Sequence, residues 1–307
     1  MVTPILGTVI LGTVLERDGS AYRVATEGAE VRAVLRGKVK LGTSKVVVGD
    51  VVRLEADPGG ELHAITGIEP RRTVLERRVP EGRGARPIAA NVDQVFVVTA
   101  TRAPDPIPQL IDRLLVLAEV DGIAAAVVLN KVDLDPGTAL AERCRRAGYP
   151  VYPTSVKTGE GMETFKAALA GRASVVTGPS GAGKSSLLNG VQPGLKLRTG
   201  EVSRRIRRGT NTTVSSVMLP LLAGGYLVDT PGFSEVGMWG IDPRTLADCF
   251  PDFRPFLGDC RFADCKHRIE PGCRVREAVK GGGIAVDRHE SYLALLEELE
   301  EQPEEWE

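Results

Sequence analysis

The sequence has no long run of apolar residues. No such stretch among its 307 residues approaches the roughly 20 that a membrane-spanning helix needs. The segment Met1 to Leu11 also lacks the basic flank and the small-residue cleavage site of a secretory signal peptide. These absences argue against a membrane protein and against an exported protein. We therefore expect a cytoplasmic protein with no membrane partner.

Cysteine is scarce as well, with five in the chain. Cys144 and Cys249 lie outside any ligand pattern, and we expect them to be ordinary thiols in a reducing compartment. The other three form the pattern C-x4-C-x-H-x5-C with a histidine. The four residues of this pattern are Cys260, Cys265, His267 and Cys273.

Four nitrogen and sulfur ligands with no spare position are typical of a closed tetrahedral zinc site, which is structural rather than catalytic. We predict one zinc ion per chain at this cluster. Because the spacing differs from that of common zinc fingers, the alternative is a set of buried cysteines beside an exposed histidine. The cations around the cluster would give it a basic surface, and they are Lys266, Arg268, Arg274 and Arg276.

Net charge is nearly absent, at −1, but it is unevenly distributed. Residues 287–307 hold nine acidic residues and one basic residue, so this stretch carries −8 and the rest of the chain carries +7. A basic body favours binding to an RNA-rich particle, although each charge could simply be a solvated surface group. One group of cations lies in a polar stretch and comprises Lys196, Arg198, Arg204, Arg205, Arg207 and Arg208.

A glycine-rich segment at 178–185, with the sequence GPSGAGKS, follows an apolar run and precedes a helical pattern. It fits G-x-x-x-x-G-K-[ST], in which backbone N–H groups and a helix N-terminus surround phosphates. Lys184 would reach the β- and γ-phosphates, and the Ser185 hydroxyl would bind Mg²⁺. ATPases and small P-loop kinases share this pattern, so it leaves the base open. The predicted phosphate-binding residues are Gly178, Pro179, Ser180, Gly181, Ala182, Gly183, Lys184, Ser185 and Ser186.

The segment NKVD at 130–133 follows the apolar run 123–129 and predicts the base. It would lie at the carboxyl end of a buried strand, where open α/β sheets bind ligands. The Asp133 carboxylate can accept the N1 and N2 protons of guanine, whereas adenine offers no matching donors. Asn130 would connect this motif to the phosphate loop, and the Lys131 stem would cover the base. Backbone N–H groups for guanine O6 would come from the segment containing Ser155, Val156 and Lys157.

The segment DTPG at 229–232 also follows an apolar run. Asp229 would hold the Mg²⁺ shell and the Gly232 N–H would contact the γ-phosphate. Phe233 follows, where Ras-type GTPases have a glutamine that orients the attacking water. The polar segment RGTNTT at 208–213 has the composition of a switch, and Thr212 or Thr213 would complete the Mg²⁺ shell; we take Thr212 as the candidate.

The order of these motifs is unusual, because the guanine motif precedes the phosphate loop. Nothing in the chemistry of the site fixes that order. The simplest interpretation is a GTPase whose chain ends have moved while its site is retained.

This motif order, the RGTNTT segment and the downstream cysteines resemble the RsgA family, which depends on the small ribosomal subunit. Its members are circularly permuted bacterial GTPases that act late in maturation of that subunit. The resemblance extends through nearly the whole chain and includes AANVD at 89–93, IDRL at 111–114 and PGC at 271–273. It implies GTP hydrolysis with Mg²⁺, stimulation by the small subunit, rRNA binding and a monomer.

One position departs from the family. A histidine commonly precedes the paired threonines there and is thought to assist the hydrolytic water, whereas this chain has Asn211. Asparagine can hydrogen-bond a water but cannot exchange a proton near neutral pH. We predict that Lys184, Asn211 and Thr212 carry catalysis, with Asn211 positioning the water.

The fold expected is multi-domain α/β. Five short β-rich runs favour a small barrel of the oligonucleotide-binding type, although such barrels have many duties. These runs are Val9 to Leu15, Tyr22 to Ala25, Val31 to Leu35, Val46 to Leu54 and Leu62 to Ile68. The predicted domains are an RNA-binding barrel at 1–70, a linker at 71–88, the permuted GTPase at 89–237 and a zinc-binding, mostly helical domain at 238–307.

Two alternatives belong to other classes. A P-loop kinase for a small molecule would need an acceptor pocket and would not need the NKVD segment. An RNA-binding assembly factor could use GTP as a structural ligand with little hydrolysis. Asn211 and Phe233 are compatible with this alternative, because they stand where other GTPases have residues that act on the hydrolytic water.

Overall fold

The structure is a computed structural model. It describes residues 10–36, 45–56, 62–78, 85–195, 216–230, 233 and 237–302. The predicted switch at 208–213, with Asn211 and Thr212, lies outside these residues, as do Gly232 and the cations between 196 and 208.

The N-terminal part is a closed five-stranded barrel, as predicted. Its strands are β1 Ile10–Asp18, β2 Ala21–Ala25, β3 Glu30–Leu35, β4 Val51–Glu55 and β5 Leu62–Ile68. They pair in the order β1-β2-β3-β5-β4, and β4 pairs again with β1 to close the ring. Alternate residues such as Val14, Val24 and Leu54 are fully buried inside it, which is the period of two expected for a half-buried strand.

The fourth strand begins at Val51, later than the sequence predicts. The residues before it form a turn, in which the buried Asp50 carboxylate accepts the Val47 N–H at 2.8 Å. Val48 then bridges to Ala89 instead of a barrel strand.

The segment 71–88, predicted as a linker, contains ordered structure. Strands β6 Val74–Arg77 and β7 Arg86–Ala90 form an antiparallel pair, and Leu75 is fully buried. Two arginines of this segment make ion pairs. Arg71 pairs with Asp50 at 2.7 Å, and Arg78 pairs with the buried Asp121 at 2.7 Å.

The central sheet is doubly wound. Its strands are β8 Gln94–Ala100, β9 Ala124–Asn130, β10 Val151–Thr154, β11 Ala173–Thr177, β12 Val217–Pro220 and β13 Tyr226–Asp229. They lie in the order β10-β9-β8-β11-β13-β12, and every pair is parallel except β12 with β13. Within the described residues, four helices accompany it: α1 Pro108–Val120, α2 Thr138–Arg146, α3 Met162–Leu169 and α4 Lys184–Val191.

Strand β8 is buried along its whole length because helices cover both faces of the sheet. Val95 and Val97 pack with α1 and α2, whereas Phe96 and Val98 pack with α3 and α4. Parallel strands buried in this way bring their carboxyl ends to one edge, which positions the candidate site.

The C-terminal part is mostly helical. It comprises 3-10 helices at Pro243–Cys249 and Arg254–Phe256, followed by α5 Arg274–Lys280 and α6 Val286–Glu300. Helix α6 packs against α1 of the central sheet, and Tyr292 and Leu295 lie in the same core as the helices of that sheet. Among the described residues, no helix combines the length and apolar character that crossing a membrane requires.

Candidate functional site

The motif residues meet at one edge of the sheet. Strand β9 ends at Asn130, β10 at Thr154, β11 at Thr177 and β13 at Asp229. Because these strands are parallel and adjacent through β8 and β11, their ends form one continuous rim. Segments that are far apart in sequence are therefore neighbours in space.

The glycine-rich loop connects β11 to α4, and two of its glycines have no substitute. Gly178 and Gly183 have φ of 137° and 87°, values that side chains rarely adopt. A Cβ at Gly178 would overlap the Val98 carbonyl oxygen, and one at Gly183 would overlap the Asn130 amide. The loop is thus folded tightly against β8 and β9, with α4 starting directly at Lys184.

The Lys184 ammonium folds back over its own loop. Its Nζ donates to the carbonyl oxygens of Gly178 and Pro179 at 2.7 and 2.8 Å. Burial lowers the pKa of Lys184, since the charged form loses water around it. Ser185 and Ser186, in the first turn of α4, are exposed. A charged group surrounded by few protein acceptors suits an anionic ligand above the loop.

Asn130 connects the guanine motif to the phosphate loop. Its Nδ2 donates to the Ala182 carbonyl oxygen at 2.9 Å, and its Oδ1 accepts from Thr154 Oγ1 at 3.4 Å. The next residue, Lys131, reaches the same loop, with Nζ donating to Gly181 O at 2.9 Å. Both halves of the predicted nucleotide site are thereby held in contact.

Asp133 is oriented by the segment after β10. Ser155 Oγ donates to Asp133 Oδ1 at 2.6 Å, and Lys157 Nζ lies 3.9 Å from Oδ2. The Ser155 N–H donates to Glu160 O at 2.9 Å. The Ser155 N–H is thus already paired within the protein, and the hydroxyl of Ser155 is the group that contacts Asp133.

A loop that sequence patterns did not single out also borders the site. After β8 ends, Thr101 Oγ1 donates to Lys131 O at 2.9 Å, and Ala103 O accepts from Lys131 Nζ. Pro104 lies beside Gly181. The sequence offers one indication that this loop borders the site: it follows the most buried strand of a parallel sheet, and the ends of such strands line ligand sites.

The third motif lies at the far end of the rim. Asp229 ends β13 and is 4% exposed, and Thr230 is also buried. The Phe233 side chain is 2% exposed and packs in the main core with Val228 and Met238. The ring thus has a packing role. The neighbouring Gly232 is outside the described residues.

The cysteine cluster is gathered in the C-terminal part. The ligand atoms of Cys260, Cys265, His267 and Cys273 all lie within 4.8 Å of one another. His267 Nδ1 is 3.3 Å from Cys273 Sγ and 3.7 Å from Cys260 Sγ. A tetrahedral zinc ion with ordinary bond lengths would separate such atoms by about 3.5–3.8 Å.

The chemistry of these donors also fits a metal. Burial raises the pKa of the Cys265 thiol to about 12, with hydrogen bonds to the Cys273 and Cys260 thiols adding to the shift. Burial lowers the pKa of His267, which favours its neutral, ligating form. Since adjacent thiols ionise together only beside a cation, the cluster is compatible with one zinc ion.

Comparison with known proteins decides the family. A family profile described as RsgA GTPase matches residues 68–239. The small ribosomal subunit biogenesis GTPase RsgA of Gemmatimonas aurantiaca is 47% identical over 97% of this chain and 99% of its own length. The chain belongs to the RsgA GTPase family. Another member, from Moorella thermoacetica, is 44% identical over 94% of this chain and 97% of its own.

Solved structures of RsgA relatives share the whole architecture. YjeQ from Thermotoga maritima superposes with a TM-score of 0.83 at 35% identity, covering 96% of this chain and all of its own. YloQ, described as a circularly permuted GTPase, has a TM-score of 0.79 at 28% identity over 97% of each chain. The family resemblance and the permuted GTPase fold predicted from motif order are therefore confirmed, and the chain is a GTP-hydrolysing enzyme.

Proposed function

We propose that this protein hydrolyses GTP late in maturation of the small ribosomal subunit, which it binds through rRNA and leaves after hydrolysis. The observation that carries the nucleotide part is the contact of Asn130 with Ala182, which holds Asp133 and Lys184 at one sheet edge. The ribosomal part rests on the relatives, which are named small ribosomal subunit biogenesis GTPases.

In this proposal the sheet edge binds Mg·GTP. Asp133 accepts the guanine N–H groups, and Ser155 Oγ keeps its carboxylate in place. The backbone N–H groups of the glycine-rich loop surround the phosphates, and Lys184 exchanges its two carbonyl partners for phosphate oxygens. The remaining proposed nucleotide contacts are Asn130, Lys131, Val156, Lys157, the loop 178–186, Asp229 and Gly232.

The reaction is the attack of water on the γ-phosphorus. The bond to the β–γ bridging oxygen breaks, giving GDP and inorganic phosphate, and the proton lost by the water passes to a phosphate oxygen. Lys184 stabilises the charge that develops on the phosphate oxygens. Asn211 orients the water by hydrogen bonding, because its amide cannot take the proton. Ser185 and Thr212 would hold Mg²⁺, which supplies further charge neutralisation when bound.

The rest of the molecule is proposed to bind the RNA. The chain outside 287–307 carries a net charge of +7, which suits a phosphate-rich surface. The barrel and the cysteine cluster, loaded with one zinc ion, would hold the protein on the particle as a cytoplasmic monomer.

Single-turnover hydrolysis of GTP with and without small ribosomal subunits tests the proposal. We expect slow hydrolysis by the protein alone and a large increase when subunits are added. ATP is the matched control and should be hydrolysed at neither stage. A rate of GTP hydrolysis that subunits leave unchanged would contradict the ribosomal role even if GTP binds tightly. GTP-dependent binding to subunits with no hydrolysis would indicate a structural ligand.

A further inference from the structure

The loop that holds the cysteine cluster exposes two cations that share one carboxylate. Lys266 Nζ contacts Glu300 Oε1 at 2.9 Å, and Arg268 Nη2 contacts Glu300 Oε2 at 2.8 Å. The two cationic side chains are 59% and 37% exposed. Glu300 is the last residue of α6, in the strongly acidic end of the chain. One carboxylate on another element therefore pairs with two neighbouring cations.

The nearer acid in sequence does not do this. Glu270 accepts the backbone N–H groups of Lys266, Arg268 and Ile269 at 2.8–3.0 Å, which uses both carboxylate oxygens to shape the loop. Within the described part of the chain it makes no ion pair with either cation. Hydrogen bonding by Lys266 lowers the pKa of Glu300, so this carboxylate is ionised at neutral pH. Glu300 is thus the counter-ion of this surface.

Apolar side chains stand in solvent on the same loop. Ile269, beside Arg268, is 83% exposed, and Phe262 is 42% exposed. The Arg261 guanidinium lies 5.6 Å from the centre of the Phe262 ring. Cations interleaved with an exposed aromatic ring suit single-stranded RNA, which offers both phosphates and unstacked base faces. An acidic protein partner would be bound by the cations alone and would leave the exposed aromatic ring unexplained.

We propose that Lys266 and Arg268 bind RNA phosphates and that Glu300 competes for them from within the same chain. This rests on the proposed function, because it names the surface through which RNA is bound. Exposed ion pairs of this kind are weak, so a phosphate can displace the carboxylate. Helix α6 then acts as a built-in competitor that sets how much RNA affinity the loop expresses.

The test compares Glu300→Gln with Glu297→Gln in the full-length, zinc-loaded protein. Glu297 lies one turn earlier on α6, is exposed and makes no ion pair among the described residues. Glu297→Gln therefore removes the same charge from α6 without freeing a cation. The probe is an oligouridylate of about 16 nucleotides, followed by fluorescence anisotropy. We expect Glu300→Gln to bind roughly two- to fivefold more tightly than the control, the range that one exposed ion pair allows.

The salt dependence gives a second measurement. Between about 50 and 200 mM salt, the slope of log K against log salt should steepen by about 0.7 for each additional phosphate that the protein neutralises. In a Lys266→Ala, Arg268→Ala background, Glu300→Gln should have no effect, because the cations that it frees are gone. Isolated small subunits should rank the variants in the same order.

Several results would overturn the inference. One is an equal affinity of Glu300→Gln and Glu297→Gln for the oligouridylate. Another is a gain in affinity from Glu300→Gln that persists when Lys266 and Arg268 are replaced by alanine. The third is an equal gain in affinity for a polyglutamate peptide. Failure of the unsubstituted protein to bind small subunits would instead contradict the proposed function, so the two failures are distinguishable.

Discussion

At the scale of single residues, the proposed recognition of guanine depends on the orientation of one carboxylate. Asp133 is 13% exposed at its side chain, accepts from Ser155 Oγ at 2.6 Å and has Lys157 at 3.9 Å. A preorganised acceptor of this kind discriminates between bases because the wrong base leaves a buried polar group unpaired. The sequence predicted the residue, and the fold shows which neighbours fix it.

We predict that Asp133→Asn weakens GTP binding by about 1.5–3 kcal/mol, roughly 10- to 150-fold, because one charge-assisted hydrogen bond is lost. Calorimetric titration with GTP measures this. Asp248→Asn, at an exposed position of the 3-10 helix Pro243–Cys249, is the control and should bind GTP as the unsubstituted protein does. Unchanged GTP affinity in Asp133→Asn would mean that guanine is recognised elsewhere.

Asn211 gives a prediction for the hydrolytic step. Asn211→Ala should slow subunit-stimulated hydrolysis with little change in GTP affinity, because the side chain is proposed to act on water and not on the nucleotide. Asn211→His should make the rate depend on pH near about 6.5, where imidazole exchanges a proton. Equal turnover of Asn211→Ala and the unsubstituted protein would remove this residue from the mechanism.

At the scale of elements, helix α6 is joined to the GTPase part by a buried ion network. Arg288 is 1% exposed and lies 2.6 Å from Asp112 on α1 and 3.3 Å from Asp252. Asp112 also accepts from Arg143 on α2 at 2.7 Å. Burial would raise the pKa of Asp112, but these hydrogen bonds and charges outweigh it and lower the pKa. Asp112 therefore stays ionised at neutral pH.

We predict that Arg288→Met lowers the free energy of unfolding by about 3–5 kcal/mol, since it leaves Asp112 buried without one of its partners. Denaturant titration measures the change. Arg244→Met is the control, because the Arg244 side chain is 85% exposed and, among the described residues, pairs only with Asp242 two residues earlier. A loss below about 1 kcal/mol would contradict this prediction, because it is the size expected for a solvent-exposed ion pair. The site would then repack or take up water when Arg288 is replaced.

The cysteine loop gives the second prediction at this scale. Cys265→Ser should abolish stoichiometric zinc and lower the melting temperature, because the loop between Gly258 and Cys273 has no helix or strand to hold it. Mass-spectrometric metal analysis checks the zinc content. Cys249→Ser, outside the cluster, should retain one zinc per chain. Equal zinc contents in both variants would contradict the ligand assignment.

The elements show which structure a sequence can predict. The strand, glycine-rich loop and helix around Lys184 were predictable because local pattern and phosphate chemistry coincide there. Strands β6 and β7 were not, since prolines and arginines dominate 70–87 and only the fold supplies Asp50 and Asp121 as partners. The Arg288 network was also invisible, because Asp112 is 176 residues away in sequence.

At the scale of the whole molecule, barrel and GTPase form one continuous sheet. Strand β1 pairs with β12 at Glu16 and Val217, which makes eleven strands in all within the described residues. Leu15 and Val48 from the barrel side lie in the same core as Met218 of β12. The Asn91 amide donates to Gly49 O at 2.8 Å across the junction. The two parts are thus packed together and not merely tethered.

This shared sheet bears on how the protein can be divided for study. A fragment beginning at residue 71 would leave one edge of β12 without its partner and would uncover Met218, which is 1% exposed in the intact chain. Unpaired, apolar strand edges recruit other chains. Removal of the barrel should therefore produce a polypeptide that self-associates. A loss of GTP turnover in such a fragment would then result from aggregation and would not show that the barrel contributes to hydrolysis.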